Sequence, residues 1–260
     1  MEKKSNIIQV AILGVLVVIA FLLGALLERN NVKTTKTTDT ITGTTQPTAE
    51  PKIGLSEIKS AFSKAVIKFG DGKGKLVILE ISDPSCPYCQ IAGGKNKELN
   101  SQTGQFKLVA DGGTYLAPVP EFKKLVDQGK ASFALIYSPG HGAGEMGMKA
   151  LYCAFEKGKF WEANDLIMSN AGYNLMNNTI KNDKAQSGVL ATFLSSAVDT
   201  TSMKACLDSG KYDSQLNTDA ALAISVGVQG TPGFFLNDTN FAGAYSYKDM
   251  ESVVNAALGN

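Results

Sequence analysis

The apolar run Leu76-Val77-Ile78-Leu79, followed by Glu80-Ile81-Ser82-Asp83-Pro84-Ser85-Cys86-Pro87-Tyr88-Cys89, constrains the fold more than any other stretch of the chain. A β-branched run that ends in a turn and then Cys-x-x-Cys places two thiols at the first turn of a helix that follows a sheet strand. Free N–H groups and the positive end of the helix dipole favour Cys86 as thiolate, the form that attacks disulfides. Cys89, one turn on, sits behind it as the resolving thiol. Pro87 suits the first helical position, where a missing N–H costs nothing. The competing reading is half of a zinc site. Structural zinc takes two such pairs or a nearby His pair, and the other candidates are Cys153, Cys206 and the single His141. The spacing therefore favours redox chemistry, with no metal and no cofactor.

At 260 residues and 44% hydrophobic content, the chain can hold a membrane segment and one domain with a substantial core. The formal net charge is +1, and the single arginine is Arg29. Without Arg, the globular part lacks the bidentate fork that reads phosphates, which argues against nucleic acid or nucleotide. Four cysteines allow three pairings. Once Cys86 and Cys89 are set apart, Cys153 and Cys206 are the natural second couple.

Residues 7–27 are apolar apart from Gln9 and glycines, long enough to cross a bilayer as a helix. A cleaved signal peptide is the alternative. Its apolar region would be shorter, whereas here the apolar character continues through Phe21-Leu22-Leu23, so residues 1–29 read as an uncleaved anchor. Lys3 and Lys4 on one side and Arg29, Lys33 and Lys36 on the other leave orientation undecided by charge. The short N-terminal tail and the paired thiols favour a C-terminal domain outside the cytoplasm, where disulfides persist. Residues 30–54, rich in Thr, read as a flexible tether.

Residues 55–260 form the expected globular domain. Helical spacing runs over 56–69, with Ser56 as a cap, and a strand over 75–82 carries one anomaly, Glu80. This carboxylate is either exposed at the strand end or buried near the thiols; if buried, its pKa is raised and it can exchange a proton with Cys89. A helix then runs to about residue 100, interrupted by Gly93-Gly94. Residues 106–120 read as a hairpin around Asp111-Gly112-Gly113, 120–128 as a short helix and 131–138 as a strand. About residues 140–228 the periodicity is helical, and the chain then returns to strands near 234–236 and 241–244 and a terminal helix over 247–258. His141, in Pro-Gly-His-Gly-Ala-Gly, belongs to no catalytic spacing and reads as a loop residue.

From Leu76 onward the chain resembles the DsbA-like thiol–disulfide oxidoreductases of the thioredoxin superfamily. The likeness is carried by Cys86-Pro87-Tyr88-Cys89, by Gly158-Lys159-Phe160-Trp161-Glu162, and by Val228-Gln229-Gly230-Thr231-Pro232-Gly233-Phe234-Phe235. It implies an α/β thioredoxin fold with a helical insertion, preceded by the transmembrane helix. It further implies that Pro232 is cis, with its loop facing Cys86 and Thr231 offering backbone groups to an extended peptide beside Pro87 and Tyr88. It implies a proton-relay role for Glu80, six residues before Cys86, and a structural disulfide between Cys153 and Cys206. The implied partners are exported proteins with cysteine thiols and, for reoxidation, a quinone-linked membrane protein of the DsbB or vitamin-K-epoxide-reductase type. Tyr88 departs from the His that the strongest oxidases carry between their cysteines, so the couple is expected to be less oxidising. Cys-Pro-Tyr-Cys by itself leaves the direction of electron flow open.

Overall fold

The computed structural model describes residues 53–259. The anchor expected at residues 1–29 and most of the tether lie outside them. Among the described residues, no helix is long and apolar enough to cross a membrane.

Strands β1 (Ile67–Phe69), β2 (Leu76–Ser82), β3 (Ala131–Tyr137), β4 (Gly233–Leu236) and β5 (Thr239–Ala242) make one mixed sheet in the order β1-β3-β2-β4-β5. At its centre β2 and β3 run parallel, with Ile78 opposite Phe133 and Ser82 opposite Tyr137, while β4 pairs antiparallel with β2 and sets Phe234 opposite Glu80. Both central strands are buried along their whole length, which is why they read as continuous apolar runs. Alternation divides β2 between two cores. Val77, Leu79 and Ile81 pack with Ile58 and Phe62 of α1 (Leu55–Lys64) on one face, whereas Leu76 and Ile78 join the larger core on the other. Glu80 and Ser82 share the parity of Leu76 and Ile78, so they lie on the larger-core side.

The larger core is covered by α2 (Pro87–Gly93), α4 (Pro118–Asp127) and a helical block inserted between β3 and β4, whereas α3 (Lys97–Ser101) packs Leu99 with Ile91, Tyr115 and Ala117 in a small cluster of its own. That block holds α5 (Glu145–Glu156), α6 (Phe160–Ile167), α7 (Asn170–Asn174), α8 (Ser187–Phe193), α9 (Thr200–Asp208) and α10 (Asp213–Ser225); α11 (Tyr247–Leu258) closes the chain. Cys153 of α5 and Cys206 of α9 are joined as a disulfide. Helix α10 leaves the block to pack beneath β3, where buried Asp219 accepts from the Tyr137 N–H at 3.0 Å and the Tyr152 hydroxyl at 2.6 Å.

Three local expectations are corrected. The helix over residues 56–69 ends at Lys64, because Val66-Ile67 turn extended and β1 takes its hydrogen bonds from β3. Its cap is Gly54, whose N–H donates to Glu57 Oε2, whereas Ser56 donates sideways to the same carboxylate. The helix after Cys89 stops at Gly93, with Gly94 in the left-handed region, and α3 restarts beneath an Asn96 side chain that accepts the Leu99 N–H. Residues 106–120 contain no hairpin. Their Gly turn closes a loop in which the Val109 N–H donates to Tyr115 O, and beyond it Leu116 spends its backbone groups on Ser246 and Tyr247 rather than on a partner strand.

Candidate active site

Cys86 is the N-cap of α2, in extended conformation, with Pro87 at the first helical position. Its N–H donates to Asp83 O at 3.0 Å, and its carbonyl accepts from the Gln90 N–H at 3.1 Å, so backbone hydrogen bonds carry the chain from strand into helix. The two cysteines are unpaired thiols here, Cys86 being 1% exposed and Cys89 fully buried. The Cys89 thiol, donating to the Cys86 sulfur, is the main influence that holds Cys86 down to about 6; burial opposes it, and the Thr231 hydroxyl and the Cys89 and Tyr88 N–H groups reinforce it. Burial first, and then the neighbouring Cys86 sulfur, push Cys89 the other way. One thiol is thus set as nucleophile and the other as proton-holding partner.

The Thr231–Pro232 peptide bond is cis. The Thr231 carbonyl lies 3.3 Å from Cys86 Sγ, a contact in which the protonated thiol is the donor. Thr231 Oγ1 is also buried beside this sulfur, and it makes no well-aligned hydrogen bond among the described residues.

Glu80 is 3% exposed, which resolves the alternative in favour of burial, and desolvation pushes its carboxyl up to about 7 against a smaller opposing effect of the Ser82 hydroxyl. Cys89 Sγ accepts the Asp83 N–H at 3.4 Å, which pins the sulfur over the end of the strand that carries Glu80 and Ser82.

Asp83 is buried, and its carboxylate accepts four hydrogen bonds: from the Ser85 N–H and hydroxyl at 2.8 and 2.7 Å, and from the Gly140 and His141 N–H groups at 2.6 and 2.9 Å. It thereby straps the residues before Cys86 to the glycine-rich loop after β3. That loop needs its glycines. A Cβ at Gly140 would stand 2.3 Å from Thr231 Oγ1, and one at Gly144 only 1.8 Å from Asp83 Oδ1. A second strap comes from Gln90, whose buried amide donates to Pro84 O at 2.8 Å and Ile167 O at 3.0 Å and so ties α2 to α6.

From Thr231 a groove of about 710 Å³ runs past Tyr88, Phe106 and Tyr115 to Tyr245 and Lys248. Tyr88, 50% exposed, meets the Phe106 ring edge-to-face at 6.0 Å, and Phe106 meets Tyr115 at 5.5 Å. Residues 101–120, which have no assigned role in the sequence, build this aromatic wall.

A thioredoxin family model matches residues 119–256, just over half of the chain. The chain belongs to the thioredoxin family. The matched span runs from α4 to α11 and takes in the cis-proline loop; the cysteine pair lies ahead of it. No curated protein matches the chain. Among solved structures, oxidised BdbD from Bacillus subtilis superposes with a TM-score of 0.55 at 18% identity, over 76% of this chain and 95% of that one. The catalytic domain of Proteus mirabilis ScsC gives 0.53 at 17%, over 80% and 100%. The thiol-disulfide exchange protein alpha-DsbA2 from Wolbachia pipientis gives 0.53 at 16%, over 78% and 96%. Identities this low carry the fold, which in this thioredoxin-family chain is the thioredoxin fold with a helical insertion.

Within that fold, Cys86, Cys89, Pro87, Tyr88, Glu80, Thr231 and Pro232 converge at the sheet end where β2 meets α2. Cys153 and Cys206 sit in the insertion. The His141 side chain is exposed, and the residue contributes its backbone N–H to Asp83. Reading the sequence missed Asp83, Ser82 and the glycine loop. The signal for Asp83 was its place three residues before Cys86, where an Asx turn caps the strand-to-helix corner.

Proposed function

We propose that this chain is an extracytoplasmic thiol–disulfide oxidoreductase, held to a membrane by residues 1–29, that oxidises cysteine pairs in exported proteins. One observation carries the reading: a helix-capping Cys86 held down to about 6 beside a cis Thr231–Pro232 bond, over a buried Cys89 held protonated. The likeness in fold to the Wolbachia thiol-disulfide exchange protein alpha-DsbA2 supports it.

In the forward direction a substrate thiolate attacks Cys86 Sγ of the oxidised pair, forming a mixed disulfide and breaking the Cys86–Cys89 bond. Cys89 leaves with the electron pair and takes a proton whose source is Glu80, protonated near neutral pH by its burial. A second substrate thiolate then attacks the substrate sulfur of the mixed disulfide, releasing Cys86 as thiolate. The substrate sulfur displaces the Thr231 contact, and the peptide around it lies in the groove walled by Tyr88, Phe106, Tyr115 and Tyr245. Apolar rings with few charges suit an unfolded, cysteine-bearing segment. Reoxidation falls to a quinone-linked membrane partner of the DsbB or vitamin-K-epoxide-reductase type.

A reductase or isomerase is the second reading, favoured by Tyr88, which puts no cation beside the Cys86 sulfur. The reduction potential decides between them, measured against glutathione in residues 53–260 with Cys153–Cys206 followed separately. A potential near about −120 mV supports the oxidase, and one near about −270 mV reverses the electron flow. A protein without thiol-dependent turnover of a disulfide substrate would be a peptide-binding module, and both readings would fall.

A further inference from the structure

We propose that the Ser82 hydroxyl carries the proton between Cys89 Sγ and the Glu80 carboxyl. The inference rests on the exchange reading above and names a step inside it.

Ser82 is the last residue of β2, and its side chain is completely buried. Its backbone carbonyl is occupied by the Ser138 N–H at 3.1 Å, but Oγ makes no well-aligned hydrogen bond among the described residues. A buried hydroxyl without a partner costs stability, and a site that retains one calls for an explanation. Strand alternation puts Ser82 on the same face as Glu80, two residues back. The 3.4 Å bond from the Asp83 N–H to Cys89 Sγ holds the resolving sulfur at the very next residue. The hydroxyl acts on both groups, lowering the carboxyl and the thiol alike, as a donor set between two developing anions would. A serine suits that task because one oxygen can donate while it accepts.

Few other groups compete for the proton. Helix α2 contributes Cys86 and Cys89. From β3 comes Tyr137, opposite Ser82, its hydroxyl unpartnered among the described residues and pushed up by burial with Asp83 and Glu145 acting on it. Strand β4 brings no titratable side chain, and Phe234 stands opposite Glu80. Tyr247, Lys248, Asp249 and Glu251 of α11 are exposed or half-buried and do not act on Glu80.

When a substrate thiolate opens the Cys86–Cys89 bond, Cys89 departs as thiolate and accepts the Ser82 proton while Ser82 accepts the Glu80 proton. The net change is one carboxylate at Glu80 and one thiol at Cys89, and bond closure runs the same transfers backward.

The test is single-turnover opening of the oxidised pair by a dithiol peptide from pH 5 to 9, in wild type, Ser82→Ala, Ser82→Thr, Glu80→Gln and the double variant Ser82→Ala/Glu80→Gln. Ser82→Ala is expected to slow opening on the order of tenfold and to lose the inflection near pH 7. Ser82→Thr is expected to recover most of the rate, and the double variant to be no slower than Glu80→Gln alone. A melting temperature at or above that of wild type for Ser82→Ala separates this loss from a folding defect; should Ala not fold, Ser82→Gly carries the same comparison. A Ser82→Ala rate within twofold of wild type with the inflection kept, or losses that multiply in the double variant, overturns the relay. Absence of opening in wild type, or its persistence in Cys86→Ser, overturns the exchange reading itself and the relay with it.

Discussion

Cys86 Sγ lies 3.3 Å from the carbonyl oxygen of Thr231, a residue 145 positions away in the chain, and the hydroxyl of the same threonine sits buried beside that sulfur. The carbonyl favours the thiol and the hydroxyl the thiolate, so one residue weighs on both protonation states. Thr231→Val keeps the carbonyl and removes the hydroxyl. The Cys86 pKa should rise by about one unit, the equivalent of one modest hydrogen bond to a charged sulfur. Thiolate absorbance against pH measures it, and an unmoved midpoint would deny the hydroxyl any part.

Glu80 makes the protein less stable as pH rises. Between its ordinary value of 4.5 and its raised value of about 7, the folded chain holds a proton that the unfolded chain has released. Stability therefore falls across that window, by at most about 3 kcal/mol. Glu80→Gln should flatten the fall and gain most above pH 7. Denaturant unfolding of the oxidised protein from pH 4 to 8 reads this cleanly, because reduced Cys86 titrates in an overlapping range with the opposite sign.

Gly144→Ala drives a methyl into Asp83 Oδ1, where the Cβ would stand at 1.8 Å. A cost of roughly 1–3 kcal/mol is expected from such overpacking. Because Asp83 also anchors the corner before Cys86, thiolate formation should be perturbed along with stability. Equal unfolding midpoints for the variant and wild type would show that the loop yields without cost.

The Cys153–Cys206 bond closes a loop of 53 residues between α5 and α9, far in sequence from the reactive pair. Replacing both cysteines by serine should cost about 2–4 kcal/mol, mainly by freeing the unfolded chain. The Cys86 midpoint should stay where it is. A shift of that midpoint would tie the insertion disulfide to the redox centre.

What was legible in the sequence followed from periodicity and punctuation. β2 and β3 were readable because a fully buried strand is a continuous apolar run, and α11 through its helical periodicity. Cys86 and Cys89 were legible through their spacing. Glu80 was visible as an anomaly, but its burial depends on Phe234 and Leu135 arriving from distant strands. β1 looked helical because Val66 and Phe69 continued the spacing of α1, and only pairing with β3 overrode it. Asp83 was unreadable as a strap, since two of its donors come from Gly140 and His141, brought in by the fold.

The most direct measurement is the alkylation rate of the reduced domain against pH, with the modified residue located by mass spectrometry. The account predicts a single fast thiol, Cys86, with an inflection near pH 6 and Cys89 unreactive through pH 8. An inflection near that of an ordinary cysteine, about 8.5, or preferential modification of Cys89, would contradict it.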